Sequence, residues 1–496
     1  DSCAATAASP GPVNSLALQL DTNGVPDGRI LLAGDFTEIN HIQRNRLARL
    51  LTNGTLDVSF NVGDGPNNIV KAIAVQSDSR VLIGGFFTQV ASTNRNGIAR
   101  VYEDGTLDTT FNPGAGADNP VYSLNILPDG RILAAGAFST FNSISRPGIV
   151  RLTTNGVVDL SFDAGAGPNG PVYAMVLQKD GKIVIGGSFT AVNGVPCGRV
   201  ARLLPDGMLD TSFNPGTGMD ADVWALVVQP DGGIVVGGDF ASVNGMPYSR
   251  LARLKTTGEV DQDFLQGLAG ANNVIFALKQ QPDGKLVVAG DFTRFNGVTR
   301  NRITRLNSDG TTDYTINFGS GANGFIGALV IQPDRKIVLG GGFTSYDDQA
   351  RDRIARIHGG TMAGNSLLEF SQPVFYAEET GTNALIIVKR RGNNAGDVSA
   401  SVRTLDGSAW AGRDYVATNG TVTFVAGEII QHFLVPVLFI GGDPHEDRNF
   451  FAQLGDFSGG ATNGPQPSAT ILIRNTKSLI SFATENLSVS ENVASS

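Results

Sequence analysis

Only two cysteines, Cys3 and Cys197, occur in 496 residues. Two thiols cannot form a disulfide framework, so packing has to hold the fold, and so low a count does not separate cytosol from exterior. Basic residues are outnumbered, 37 Lys and Arg against 46 Asp and Glu, for a net charge of −9. That balance excludes the basic surface a nucleic acid requires. No apolar run approaches the roughly 18 residues of a membrane span. A charged-then-apolar leader is missing and the first residue is Asp1, so the chain reads as a mature or truncated piece of a longer protein. The four histidines, His41, His358, His432 and His445, show no metal-ligand spacing. No serine elbow, zinc-helix motif or phosphate loop is present. Long helical patterns are also absent. The "NPGAG" loops recur without a following helix and read as turns.

Glycine is plentiful at 63 residues, and Gly, Asn, Asp and Thr recur in clusters, a composition that suits many short strands and tight turns. These features repeat. A Gly-x-Phe core recurs at Phe36, Phe87, Phe138, Phe189, Phe240, Phe292 and Phe343, with steps of 51 residues and one of 52. Arg49, Arg100, Arg151, Arg202, Arg253, Arg305 and Arg356 keep the same step. One copy reads "VYAMVLQKDGKIVIGGSFTAVNGVPCGRVARLLPDGMLDTSF" and holds four strand-like runs joined by Asp-Gly turns. Seven such units make the sequence form of a seven-bladed β-propeller. Each blade buries both faces against its neighbours, which accounts for apolar runs without alternation.

In the middle repeats the Phe of "DTSF" lies ten residues before the first strand's Val, as Phe162 does before Val172. Cys3 stands in that frame before Val13, and the seventh copy ends at "RIARIHGG" without a fourth strand. Residues 1 to 4 are therefore expected to pair beside Ile354 and Arg356 and close the ring, leaving no open sheet edge. With Cys3 and Cys197 in blades three apart, no disulfide between them is expected. Asp57, Asp108, Asp159, Asp210, Asp261 and Asp313 each follow a repeat Arg by eight positions across a Gly-containing turn. The favoured reading is a cross-strand ion pair stapling the outer part of each blade, because identity in every blade is what a shared scaffold requires.

Symmetry breaks at the second residue of the first strand: Asn14, Lys71, Tyr122, Tyr173, Trp224, Phe276 and Gly327. This strand is expected to line the channel near one mouth. Tyr122, Tyr173, Trp224 and Phe276 are the ligand-binding candidates, since a crescent of rings stacks on a sugar or grips a peptide. Packing between blades is the competing account. Asp35, Asp239 and Asp291 precede the core Phe in three blades and read as surface carboxylates.

The "PDGKIVIGG-F" core, the "NG---R---ARL" run and the "DGTLDTSFNPG" close resemble the delta-60 repeat family of bacterial propeller proteins over residues 1 to about 358. A linker, "HGGTMAGNS", follows. Residues 367–475 then show short alternating strands of immunoglobulin-like β-sandwich type. Their "F-----YAEE", "V----T-DG-A-AGRDY" and "-TVTFVAGE" runs resemble the Calx-beta domain. That resemblance implies a calcium site, carried here only in part, at Glu378, Glu379, Asp414, Asp443 and Glu446. Ca²⁺ takes six to eight oxygens, whereas Gly441 and Gly442 stand where the family has an Asp pair and Arg448 and Asn449 fill the region of the following acid. A weak or vestigial calcium site, with a structural role for the domain, is the expectation. No other cofactor is implied.

The last segment, "SLISFATENLSVSENVASS", resembles the start of a second such domain. The division is thus an all-β chain with a propeller over 1–358, a linker over 359–366, a sandwich over 367–475 and a truncated second sandwich over 476–496. The resemblances imply a secreted or cell-surface bacterial protein, non-enzymatic, with the propeller as an adhesive or assembly platform and the sandwiches as a stalk. Its partners would be a glycan, a surface protein, or another copy of the chain joined through the C-terminal strand, with no nucleic acid and no membrane span. A carbohydrate-active or lytic propeller enzyme is the alternative, favoured by clustered carboxylates at one mouth.

Overall fold

A computed structural model describes residues 8–9, 11–265, 267–360, 365–394, 396–438 and 446–474. The expected pairing of residues 1 to 4, Cys3, Asp443, His445 and the tail from 476 lie outside the described residues. Every described element is a strand, and the chain divides into two compact units at Thr361 and Met362, within the stretch read as a linker.

The first unit is the seven-bladed propeller. In blade four the inner strand Val172–Leu177, the middle strand Ile183–Gly187 and the outer strand Val200–Leu203 form one antiparallel sheet in that order. The other six blades repeat this order, from Val13–Leu20 in blade one to Ile326–Ile331 in blade seven. Middle strands are buried along both faces because each face serves a different neighbour. In blade one, Ile30 and Leu32 pack with Val338 and Ile354 of blade seven, whereas Leu31 and Ala33 pack with Val70 and Ile83 of blade two. The core of this unit is thus a ring of seven inter-blade clusters among the described residues.

The ring closes where blades seven and one meet. Val13–Leu20 packs beside Ile326–Ile331, and Arg356 Nη1 donates to the Thr52 carbonyl at 2.7 Å.

The blades differ from the expected four-stranded unit. In blades one to six the run after the outer strand's turn contributes one bridge, such as Leu203 to Leu209, and no fourth strand among the described residues. The cause is local. Asp210 Oδ1 accepts from the Ser212 N–H at 3.1 Å and the Ser212 hydroxyl at 2.6 Å, which turns the chain out of register. In addition, the "AVNGVP" segment makes a two-residue hairpin of its own, Ala191–Val192 with Val195–Pro196.

The Arg–Asp pairs form as expected. Arg49 Nε lies 2.8 Å from Asp57 Oδ2, with both side chains buried and the guanidinium over the Phe60 ring. A second role was not expected: the same Arg reaches into the next blade. Arg49 Nη1 donates to the Glu103 carbonyl at 2.6 Å, Arg100 to Thr154 at 2.6 Å and Arg202 to Thr256 at 2.7 Å. Blade five departs from this pattern, since Arg253 binds Asp261, Asp231 and Gln229 instead.

In the second unit a four-stranded sheet, ordered Ile430–Pro436, Asn383–Gly392, Ser366–Phe370 and Ala461–Asn463, faces a five-stranded one. The latter runs Val374–Glu378, Ser468–Arg474, Arg448–Ser458, Val398–Asp406 and Asn419–Phe424. Alternate residues such as Ile386, Val388, Ala400 and Val402 fill the space between.

Candidate functional site: the aromatic channel mouth

The Gly-Gly pair at the end of a middle strand sets the geometry of the mouth. At Gly187 an added Cβ would stand 2.0 Å from the Pro171 carbonyl oxygen, so the inner strand can cross that close only over glycine. The crossing forces a bulge. Val172 pairs with Gly187 and Ala174 with Gly186, leaving Tyr173 as the extra residue. The same shift occurs in the other six blades, between Val13 and Ser15, Val70 and Ala72, and so on to Ile326 and Ala328. Bulges re-aim side chains. Here they present one residue per blade to the channel, at the position where the repeats disagree.

Tyr122, Tyr173, Trp224 and Phe276 come together as the spacing suggested, and two further rings extend the series. Phe86 meets Tyr122 edge-on at 5.8 Å, and Tyr122 meets Tyr173 at 5.3 Å. Tyr173 and Trp224 stack at 4.1 Å with 10° between their planes. Trp224 meets Phe276 at 6.1 Å, and Phe276 meets Phe325 at 5.9 Å. Phe86 and Phe325 do not belong to inner strands. One follows the Gly-Gly pair and the other precedes the first strand, and each is aromatic in a single blade. Their signal is that departure from the repeat.

The rings wall a cavity of about 500 Å³, completed on the open side by Asn14, Lys71 and Gly327. Below it a lumen of about 290 Å³, lined by all seven inner strands, continues past the same ring of residues down to Asn125 and Lys279. Lys71 Nζ donates to Asn14 Oδ1 at 3.3 Å. Burial pushes the Lys71 ammonium below its ordinary pKa, against a weaker pull from Asp35. Lys279 is exposed to the lumen, and desolvation by the surrounding lumen wall lowers its pKa as well. Burial raises the Tyr122 phenol, which keeps it a donor.

The carboxylates sit outside this cavity. Asp35, Asp239 and Asp291 lie 3.8, 3.9 and 3.4 Å from Arg46, Arg250 and Arg302 of their own blades. Asp222, beside Asp239 in blade five, is raised by burial and by Asp239, while Arg199 at 4.0 Å opposes. Cys197 is buried and its thiol is pushed up to about 11.

Asp443 lies outside the described residues, and among the described residues the other suggested calcium ligands do not gather into one cluster. Glu378 is exposed at a strand end, Glu379 is buried next to it, and Glu446 is exposed. Asp414 is 2% exposed, and both its oxygens are taken. Oδ1 accepts from Arg448 Nη1 at 2.5 Å, while Oδ2 accepts from Arg413 Nη2 at 2.7 Å and the Trp410 N–H at 2.7 Å. No group of three or more His, Cys, Asp or Glu able to hold a metal occurs among the described residues. Among the described residues, the Asp414 carboxylate is engaged by guanidinium groups.

Comparison with known proteins matches the chain to two families. The family described as "Domain of unknown function (DUF5122) beta-propeller" matches seven times, over 26–60, 76–111, 127–162, 178–213, 229–264, 281–315 and 332–359. The Calx-beta domain matches residues 364–477. Sodium/calcium exchanger 1 of Canis lupus familiaris is 38% identical over 113 residues, 22% of this chain and 11% of that protein. Integrin beta-4 of Homo sapiens is 33% identical over 130 residues, 25% of this chain and 7% of that protein. The chain thus spans about a tenth or less of the length of these relatives. The crystal structure of the apo-form Calx CBD1 domain is 26% identical, with a TM-score of 0.22, covering 23% of this chain and 99% of that one. No helix among the described residues is long and apolar enough to cross a membrane. The chain is a run of seven DUF5122 beta-propeller repeats followed by a Calx-beta domain.

Proposed function

We propose that this chain is a non-enzymatic binding module of an extracellular or cell-surface protein, with the propeller as the recognition platform and the Calx-beta domain as a spacer. The observation that carries this reading is the arc of six rings at the channel mouth. Ring stacking of this kind suits the flat, apolar face of a sugar. The cavity has the size of an ordinary small-ligand site. The outer positions of the blades are alike where the mouth positions differ, which points recognition at the mouth.

A glycan array probed with the whole chain tests this. Binding of at least one glycan is expected, lost in Trp224→Ala and kept in Met208→Ala, an exposed position remote from the mouth. Binding that survives Trp224→Ala would place recognition elsewhere.

The adjacency of Asp222 and Asp239 favours a second reading, a carbohydrate-active enzyme, because a raised carboxyl beside another acid is a general-acid arrangement. Release of reducing ends from a polysaccharide by the chain, abolished in Asp222→Asn, would establish it and displace the first.

A further inference from the structure

The polar lining of the mouth and lumen carries two ammonium groups, with hydroxyl, amide and indole groups, and no carboxylate. The cavity lining contributes the Lys71 ammonium, the Tyr122 and Tyr173 hydroxyls and the Trp224 indole N–H, and no carboxylate. The lumen adds Lys279, again with no acid among its lining residues. This occurs in a chain whose net charge is −9. Among the described residues, none accepts a hydrogen bond from Lys279, the two tyrosine hydroxyls or the Trp224 indole, and Lys71 bonds only Asn14. The nearby acids are engaged by arginine: Asp35 by Arg46, Asp222 by Arg199, Asp239 by Arg250 and Asp291 by Arg302.

Lys71 is half-buried at the mouth and Lys279 is exposed to the lumen, so both ammonium groups are open to an anion entering that space, which would gain a charged hydrogen bond from each. At the second inner-strand position no other blade has a basic residue, and at the Lys279 position the other six blades have Ala17, Ala74, Asn125, Val176, Val227 and Val330. A scaffold therefore does not need either lysine.

Resting on the platform reading above, we propose that the mouth takes an acidic sugar, with its ring face on the Tyr173–Trp224 pair and its carboxylate directed into the lumen toward Lys71 and Lys279. A peptide is the poorer fit. The inner strands are edge strands of their sheets, but their free edges face a lumen of only about 290 Å³, which leaves no room for an added strand. The cavity of about 500 Å³ is also closed by Lys71 and Gly327 rather than extended as a groove. Inside a low-dielectric wall a charge-assisted hydrogen bond is stronger than on the surface. The carboxylate should therefore add to affinity as well as to orientation.

Calorimetry on the whole chain decides this with three acidic sugars, trigalacturonate, trimannuronate and sialyllactose, each beside its methyl ester. At least one acid should bind about tenfold or more tightly than its ester, the margin expected of one charged hydrogen bond. Lys71→Met and Lys279→Met should each shrink that margin without changing the ester's affinity, and an unchanged melting profile would show that the ring is intact. Equal affinity of acid and ester in all three pairs, or a preference that persists in the double Lys71→Met/Lys279→Met variant, overturns the acidic-sugar inference and leaves the platform standing. Failure of all six compounds to bind also overturns the inference, and neutral glycans on the array then decide the platform separately.

Discussion

The outer belt and the channel mouth of the propeller come from the same repeats and obey opposite rules. In the belt, Arg, Asp and Phe recur from blade to blade and bind each other: Arg100 pairs with Asp108, lies over Phe111 and donates to Thr154 of the next blade. At the mouth, one bulged position holds Asn, Lys, Tyr, Trp, Phe or Gly; Lys71 donates to Asn14, and the Tyr122, Tyr173 and Trp224 donors have no partner among the described residues. Charge in the belt is neutralised within a few ångströms, whereas charge at the mouth is not. Repetition therefore marks what holds the ring, and departure from repetition marks what the ring is for. Blade five carries the contrast within one blade: Trp224 completes the tightest stack of the mouth, while Arg253 gives up its bond to the next blade.

The largest expected effect tests the belt. Arg305 has no exposed side-chain surface and holds Asp313 at 2.6 Å and the Gly359 carbonyl at 2.5 Å. Arg305→Ala breaks this buried pair, leaving the Asp313 carboxylate with Lys285 at 2.6 Å and the Thr315 N–H and hydroxyl, and should cost about 3–5 kcal/mol in chemical denaturation. Arg253→Ala, at a guanidinium 15% exposed and without the bond to the next blade, should cost only about 1–2 kcal/mol. Equal losses would show that the inter-blade bond adds nothing.

Acid should open the same belt. Asp108, Asp159 and Asp210 are held well below the usual carboxylate range: burial opposes ionisation in each, and hydrogen bonds from Thr110, Ser161 and Ser212 together with the arginines outweigh it. With folded-state pKa values below the unfolded ones, the unfolded chain binds more protons in that window. The stabilisation is complete above about pH 4 and is lost as pH falls through the depressed values. Melting followed from pH 7 to pH 2 should show a steep decline beginning near pH 4, shallower in Asp108→Asn. A flat profile would remove the belt's ion pairs as a source of stability.

The belt was legible in the sequence because its parts are close in the chain. Arg49 and Asp57 are eight residues apart across a turn whose composition shows their pairing. The hand-off from Arg49 to Glu103 spans 54 residues and two blades, and no local pattern reveals it. The fourth strand was overestimated for a related reason, since a run like "MLDTSF" looks extended until the Asp210 carboxylate is seen capping its own turn. Four of the six rings were legible from the repeat, but the bulge that aims them was not. It arises from a steric clash at Gly187 that appears only once two strands cross. In the sandwich, the loss of acidic residues was readable, whereas the grip of Arg448 on Asp414 was not.

Smaller effects separate the mouth from the belt in stability. Trp224 is half-buried and packs on rings that stay in place without it, so Trp224→Ala should cost about 1–2 kcal/mol. Lys279→Met should act in the opposite direction. Desolvation by the lumen wall lowers the folded-state pKa of this ammonium, an effect reduced by its exposure to the lumen, so the unfolded chain holds more protons as pH rises toward the ordinary lysine value. The wild type should gain stability across that alkaline window, and Lys279→Met should melt slightly higher at neutral pH and lack the alkaline gain. A variant that melts lower would show that the lysine is already compensated inside the lumen.

The smallest effect expected is that of calcium on the sandwich, and there the belt's logic appears again. Asp414 is a buried carboxylate whose partners, Arg413 and Arg448, are already cations, as in the propeller's Arg–Asp pairs. Burial works against its ionisation, yet the Arg413 hydrogen bond and the Trp410 N–H hold its pKa below the usual range, with Arg448 adding to them. A divalent ion would have to displace a guanidinium 2.5 Å away and then find further oxygens, which the described residues do not supply. A ligand stabilises a fold only as far as it binds the folded form, so millimolar Ca²⁺ should leave the melting temperature of this domain unchanged. Trp410 reports on the site directly, since its N–H bonds Asp414 and its ring lies 4.8 Å from the Arg413 guanidinium. In a Trp224→Phe background its fluorescence isolates the sandwich within the whole chain, because these are the only two tryptophans. A calcium-dependent rise of several degrees in the Trp410 transition, abolished in Asp414→Ala, would show that the remaining acids do assemble a site. A rise seen only in Arg448→Gln would show that the guanidinium stands in for the ion.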